Sequence, residues 1–172
     1  MSPTDNANAP RIIDTLSVTT PSDREIEIVR DFNAPRALVW DAYTKPELLR
    51  RWLGCMPGWS WDVCEVDLRV GGKYRWSWNG PDNQQLGITG IYREVEPVER
   101  IVNSERFEQA WYPGEAVNTL MLEEQGGRTT VTTRLRFETK EARDGALQSG
   151  MTRGMARGWE LLDELLASKV TA

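Results

Sequence analysis

Residues 31–52 read DFNAPRALVWDAYTKPELLRRW and decide the fold. The first two end an alternating strand pattern, Asn33 is of a type that caps helices, and Pro35 suits a first helical turn. A helical stripe follows, formed by Leu38, Val39, Ala42 and Tyr43. Residues 44–47, TKPE, have the spacing of a capping box and predict a second helix. We therefore expect a strand end followed by two short helices.

Alternating patterns on both sides of this segment predict β-strands. Residues 12–19 and 25–32 predict an N-terminal hairpin. Further strands are expected at residues 61–68, 74–78, 86–95, 101–107, 116–122 and 129–137. Because turn signals separate these segments, the sheet is expected to be antiparallel.

Residues 140–168 change to a helical period, with Thr139 as the expected N-cap. Apolar residues recur three or four positions apart at Leu147, Met151, Met155, Trp159, Leu162 and Leu166. Gly150, Gly154 and Gly158 interrupt this helix, each at a cost of about 1 kcal/mol. Three interpretations stay open: close approach to the sheet, room for a ligand against bare backbone, or a break at Gly150.

The chain of 172 residues has the usual size of one domain. Residues 1–10 are polar and proline-containing and predict a disordered tail, so residues 11–172 are expected to form a single α+β domain. The net charge of −5 argues against nucleic acid as a partner. No apolar run approaches about 18 residues, so no membrane partner is expected.

The cysteine and histidine content excludes several kinds of catalytic and metal-binding site. Cys55 and Cys64 lack metal-binding spacing, and the polar start lacks a signal peptide, so a reducing cytoplasmic location is expected. The chain has no histidine, which excludes Ser-His-Asp and Cys-His catalytic sites. Two cysteines alone cannot hold a structural zinc ion. We expect neither a metal nor a cofactor, and a non-enzymatic role is favoured.

A second motif, DLRVGGKYRW at residues 67–76, completes the pattern begun at residues 31–52. With GIYREVEP at 90–97 and the pair Gly158-Trp159, the sequence resembles the activator-of-heat-shock-protein-ATPase-like domains of the START-like (SRPBCC) superfamily. The resemblance spans residues 24–168. It implies a helix-grip fold, in which a curved antiparallel sheet wraps around a long C-terminal helix and leaves a cavity. It also implies that residues 67–72 form a hairpin corner.

Aromatic residues are the candidates for lining that cavity. Tyr74, Trp76 and Trp78 alternate along one strand and therefore share a sheet face. Methionines on the C-terminal helix suit ligand-shaped gaps. Ordinary core packing is the alternative for all of them. The expected lining set is Tyr74, Trp76, Trp78, Glu105, Phe107, Trp111, Met121, Met151, Met155 and Trp159.

Three functions remain open. The first is non-enzymatic binding of a small hydrophobic or aromatic ligand between the sheet and the C-terminal helix. The second, implied by the resemblance, is a co-chaperone-like interaction with a protein partner, a heat-shock ATPase. The third is a histidine-independent enzyme of cyclase or hydrolase type, for which Glu105 is the candidate acid–base group.

Overall fold

The computed structural model describes residues 11–13, 16–109 and 112–171. The predicted tail, residues 1–10, lies outside these ranges. The elements are β1 (Arg11–Ile13), β2 (Leu16–Thr19), β3 (Glu25–Phe32), α1 (Arg36–Thr44), α2 (Pro46–Leu49), β4 (Ser60–Val66), β5 (Lys73–Asn79), β6 (Gln85–Glu96), β7 (Arg100–Phe107), β8 (Ala116–Gln125), β9 (Arg128–Arg136), α3 (Lys140–Gln148) and α4 (Met151–Val170).

The strands form one antiparallel sheet in the order β1-β2-β3-β9-β8-β7-β6-β5-β4. Pairing of β3 with β9 places the first long strand beside the last one. Register shifts in β4 and β6 are bulges, which bend the strands that carry them. This curved sheet, with two short helices after β3 and a long C-terminal helix, confirms the predicted α+β helix-grip fold.

The core lies between the concave, inner face of the sheet and helices α1 and α4. Ile26, Ile28 and Phe32 of β3 are buried there. The ring of Phe32 meets Trp159 of α4 edge-on, with 5.8 Å between ring centroids. A Cβ atom on Gly158 would lie 3.3 Å from the carbonyl oxygen of Trp52, so this glycine lets α4 approach the segment after α2 closely.

The helical pattern at residues 140–168 forms two helices rather than one, and the second, α4, is the long C-terminal helix. Gly150 adopts a left-handed conformation with φ of 83° and separates α3 from α4. Glycine reaches this region without the steric cost that a side chain imposes. A break is therefore correct for Gly150, whereas Gly158 allows close approach to the segment after α2 rather than to the sheet. Thr139 caps α3 as predicted, since its hydroxyl accepts from the backbone N–H of Ala142 at 3.1 Å.

The predicted caps of α1 and α2 are also wrong. Pro35, rather than Asn33, is the N-cap of α1. Its side chain makes no capping hydrogen bond to the first turn of the helix. A carboxylate from β8 substitutes, because Glu124 accepts from the backbone N–H of Arg36 at 2.9 Å. Thr44 donates its hydroxyl to the carbonyl of Trp40 at 2.8 Å and therefore does not form the capping box. Sequence patterns near a helix start could not reveal a partner so distant in the chain.

The remaining turns follow local chemistry. Residues 12–19 contain the end of β1 and all of β2, which pair with each other, so this stretch is a further hairpin rather than one strand. At the β4–β5 corner, Gly71 has φ of 83°, and a Cβ atom on Gly72 would lie 1.9 Å from the carbonyl oxygen of Asp67. Both glycines are therefore required by the corner itself.

Among the described residues, no helix has the length and apolar character needed to cross a membrane.

Candidate functional site

Strand register arranges the inner face of β5–β9 in three transverse rows. The rim row contains Trp76, Ile88 and Phe107, which are paired successively across β5, β6 and β7. The middle row contains Tyr74, Gly90, Glu105 and Ala116. The deep row contains Tyr92, Asn103, Asn118 and Leu135.

The rim row is apolar but only partly buried. Trp76, Ile88 and Phe107 all pack against the core while keeping accessible surface. Met151 and Met155, from the first two turns of α4, do the same. Strands β5–β7 and the start of α4 therefore both present partly accessible hydrophobic side chains.

A hydrogen-bonded network joins the middle and deep rows. Tyr74 donates its hydroxyl to the carbonyl of Ser104 at 2.7 Å, and the amide nitrogen of Asn103 donates to the Tyr74 oxygen at 3.0 Å. The amide nitrogen of Asn118 then donates to Oδ1 of Asn103 at 3.4 Å. Because Asn103 directs its oxygen toward Asn118, the Oδ1 atom of Asn118 faces away from the network. That buried oxygen has no hydrogen-bond partner within the described part of the chain.

Glu105 places a carboxylate in the same interior. Burial raises its pKa from 4.5 to about 7. The residue nevertheless keeps some accessible surface, so it is enclosed by protein without being fully packed. No described residue donates a hydrogen bond to its side chain, as Tyr74 is committed to Ser104. Burial, and next the nearby charge of Glu105, raise the pKa of Tyr74, so this phenol stays protonated at neutral pH.

The structure separates the predicted lining residues into groups. Tyr74, Trp78 and Trp159 are each 2% exposed and belong to the packed core. Trp78 is covered by Trp61, with ring centroids 4.5 Å apart. The residues with accessible surface on the inner face or at the start of α4 are Trp76, Glu105, Phe107, Met151 and Met155.

Met121 lies on the opposite face of the sheet, so the expectation that it faces the interior is wrong. Its neighbours in β8, Leu120 and Leu122, are buried in the core, and successive side chains alternate between faces. Met121 instead pairs with Arg100 and Thr132. Trp111, also predicted to line the cavity, lies outside the described residues.

Sequence reasoning missed Asn103 and Asn118. A polar residue at an inward position of a strand does not by itself show which residue it bonds to. The significance of these two amides comes from the β7–β8 register, which makes them direct partners. The only available signal was a polar residue at the inward phase of each strand.

Two recesses also open on the surface. One, of about 400 Å³, lies over the outer face of β5–β7 and is bordered by residues that include Lys73, Arg75 and Arg106. The other, of about 230 Å³, lies between α1, α2 and α4. Of the predicted lining residues only Tyr74 borders either one. Neither recess is therefore the expected cavity between sheet and C-terminal helix.

The described residues offer little for covalent or metal chemistry. Both Cys55 and Cys64 are free thiols, and burial raises the pKa of each. A thiol with a raised pKa is a poor nucleophile at neutral pH. Within the described ranges, no group of three or more potential ligands could hold a metal ion.

Several proteins of known structure have a fold similar to that of this chain. A crystallised Rhodobacter sphaeroides protein is 32% identical, with a TM-score of 0.84 over 90% of this chain and 99% of that one. A Staphylococcus epidermidis protein solved by NMR is 28% identical, with a TM-score of 0.74 over 87% and 93% of the two chains. An AHSA1-like protein from Aeromonas hydrophila shares the fold at 20% identity, with a TM-score of 0.63 over 81% and 93%.

A search among curated proteins finds no match to this chain. The family model described as "Activator of Hsp90 ATPase homolog 1-like protein" matches residues 33–167. That range contains α1, α2, every strand from β4 to β9, α3 and most of α4. This chain therefore belongs to the Activator of Hsp90 ATPase homolog 1-like protein family.

Proposed function

We propose that this protein binds a small hydrophobic or aromatic molecule, without catalysis, between the inner face of β5–β7 and the first turns of α4. The observation that carries the proposal is the partly accessible apolar surface of the rim row and of Met151 and Met155. Family membership supports it as well, since the helix-grip fold is suited to holding a molecule between sheet and helix.

Packing physics favours a ligand at this position. Protein interiors are normally close-packed, so accessible hydrophobic side chains on a concave face are unusual there. Covering such surface yields roughly 25 cal/mol per Å². Methionine has a flexible, polarisable side chain that adapts to ligands of different shape. Trp76 offers a flat ring for stacking, and its indole Nε1 is buried without a partner in the described structure.

Free thiols fit a reducing, cytoplasmic setting.

Native mass spectrometry of freshly purified protein, followed by denaturing extraction, is the direct test. We expect a small apolar molecule to co-purify in stoichiometric amount. Trp76→Ala should lose it while remaining folded, because this residue is only partly buried. Met121→Ala, which removes a large side chain from the opposite sheet face, is the matched control and should retain the molecule.

A protein without bound ligand can then be titrated with methylnaphthalene as an apolar probe. Saturable binding that is weakened by Trp76→Ala would support the proposal. Failure of both extraction and titration would contradict it. That result would favour the co-chaperone-like alternative, for which a pull-down with a heat-shock ATPase is the corresponding test.

A further inference from the structure

We infer that the molecule bound on this inner face carries a hydrogen-bond-donating group, an amino or hydroxyl group, which is accepted by Glu105 and Asn118. This inference rests on the proposed function and specifies the chemistry of its ligand. It follows from two acceptors that the fold places in one interior and to which no described residue donates a hydrogen bond.

The first acceptor is Oδ1 of Asn118. This atom is buried and has no partner among the described residues, which is costly for a polar group in a protein interior. The orientation of the amide is set by its neighbours: Asn103 donates to both Tyr74 and Ser104, so its own oxygen must receive the Asn118 amide. Rotating Asn118 would bring two oxygens together. The unpaired oxygen is therefore built into the network.

The second acceptor is the carboxylate of Glu105. It lies in the middle row, between the partly accessible rim row and the deep row that contains Asn118. Asn118 is two positions along β8 from Ala116, the direct partner of Glu105. Side chains in this diagonal relation lie roughly 7 Å apart, close enough for one bound group to contact both.

The hydroxyl of Tyr74 and the guanidinium groups of the nearest arginines do not satisfy these acceptors. The Tyr74 hydroxyl is committed to the carbonyl of Ser104. The arginines nearest in the sheet turn to the outer face, where Arg75 pairs with Glu108 and Arg93 pairs with Glu115. Water can occupy such a position in the empty protein, and a ligand donor can displace it.

A donor group therefore distinguishes ligands that fit the apolar rim equally well. A hydroxyl can donate to Glu105 or Asn118 and can also accept from Nε1 of Trp76, which is buried without a partner in the described structure. An amine satisfies only the acceptors. An ether offers an oxygen but no donor, and a hydrocarbon offers neither.

The test compares the affinities of four probes that share one ring system: a naphthol, its methyl ether, naphthylmethylamine and methylnaphthalene. At about pH 8, where the Glu105 carboxyl is mostly ionised, we expect the naphthol or the amine to bind wild-type protein about tenfold more tightly than the ether and the hydrocarbon. In Glu105→Met, which keeps side-chain length but removes the acceptor, this preference should fall to about twofold or less. Glu105→Gln should retain part of it, because an amide oxygen still accepts.

Glu123→Met is the control, since this glutamate is exposed on the same sheet and should leave the preference unchanged. Equal affinity of donor and non-donor probes for wild-type protein would overturn the inference while leaving the proposed function intact. Absence of binding by all four probes would overturn the inference, and together with a failed extraction it would overturn the proposed function as well. A donor preference that survives in folded Glu105→Met and in Asn118→Leu would also overturn the assignment to these residues.

Discussion

The inner surface differs between the end around Trp159 and the end around Glu105. At the Trp159 end, Phe32, Val39 and Leu162 are almost completely buried, and α4 approaches the segment after α2 closely at Gly158. At the Glu105 end, hydrophobic side chains keep accessible surface, and the buried Oδ1 of Asn118 has no donor among the described residues. The Trp159 end thus stabilises the fold. The Glu105 end stabilises it less than full packing and hydrogen bonding would, as is common for ligand-binding sites.

Tryptophan substitutions give the largest test of this difference. Trp159→Ala should lower the free energy of unfolding by about 3–5 kcal/mol, because a buried indole is replaced by a cavity. Trp76→Ala should cost less than about 2 kcal/mol, since this side chain is only partly buried. Urea unfolding curves measure both values. Similar losses for the two variants would remove the proposed distinction between the ends.

The pH dependence of stability provides the next test. The pKa of Glu105 is about 7 in the folded protein and 4.5 as an unperturbed group, so the folded state binds the proton more tightly. Its contribution is therefore fully present below about pH 4.5 and is lost as pH rises to about 7.

Glu105→Gln removes this titration. Relative to wild type, the variant should gain roughly 2–3 kcal/mol of stability between about pH 4.5 and pH 8. Chemical unfolding at a series of pH values measures the gain. Glu123→Gln, the same substitution at an exposed position, should show no comparable change. A constant difference between wild type and Glu105→Gln across this range would mean that the carboxyl is solvated.

The two ends also differ in how far sequence alone predicts them. Alternation correctly placed Tyr74, Trp76 and Trp78 on one face, because period two is a property of any strand. It could not rank their burial, which depends on covering residues distant in sequence. The ring of Trp61 covers Trp78, and the ring centroids of Tyr92 and Tyr74 lie 5.4 Å apart. Trp76, in contrast, lies in the partly accessible rim row.

Errors at the site have a similar origin. Met121 does not face the interior, because buried Leu120 and Leu122 set the phase of β8 against it. Asn118 was missed because its role requires the β7–β8 register, which places it opposite Asn103. The family motifs identify the fold because they mark turns and helix starts. They carry no information on which inward positions stay accessible.

Substitutions of glycines at the junction between α3 and the Glu105 end are expected to change stability the least. Gly150 has φ of 83°, so Gly150→Ala should cost about 1–2 kcal/mol through the steric strain of a left-handed residue. Gly154 is helical, and nothing lies within 4 Å of the position of an added Cβ atom. Gly154→Ala should therefore stabilise the protein by about 0.5–1 kcal/mol.

Thermal unfolding of both variants, with ligand binding measured in parallel, separates two roles for Gly154. If it serves only the helix, Gly154→Ala gains stability and binds methylnaphthalene like wild type. If bare backbone at this position forms part of the ligand surface, the same variant gains stability but loses affinity, because the new methyl group occupies space that the ligand needs. A loss of stability in Gly154→Ala would contradict the open environment observed around this residue. Such a loss would show that the first turns of α4 are packed as tightly as the Trp159 end.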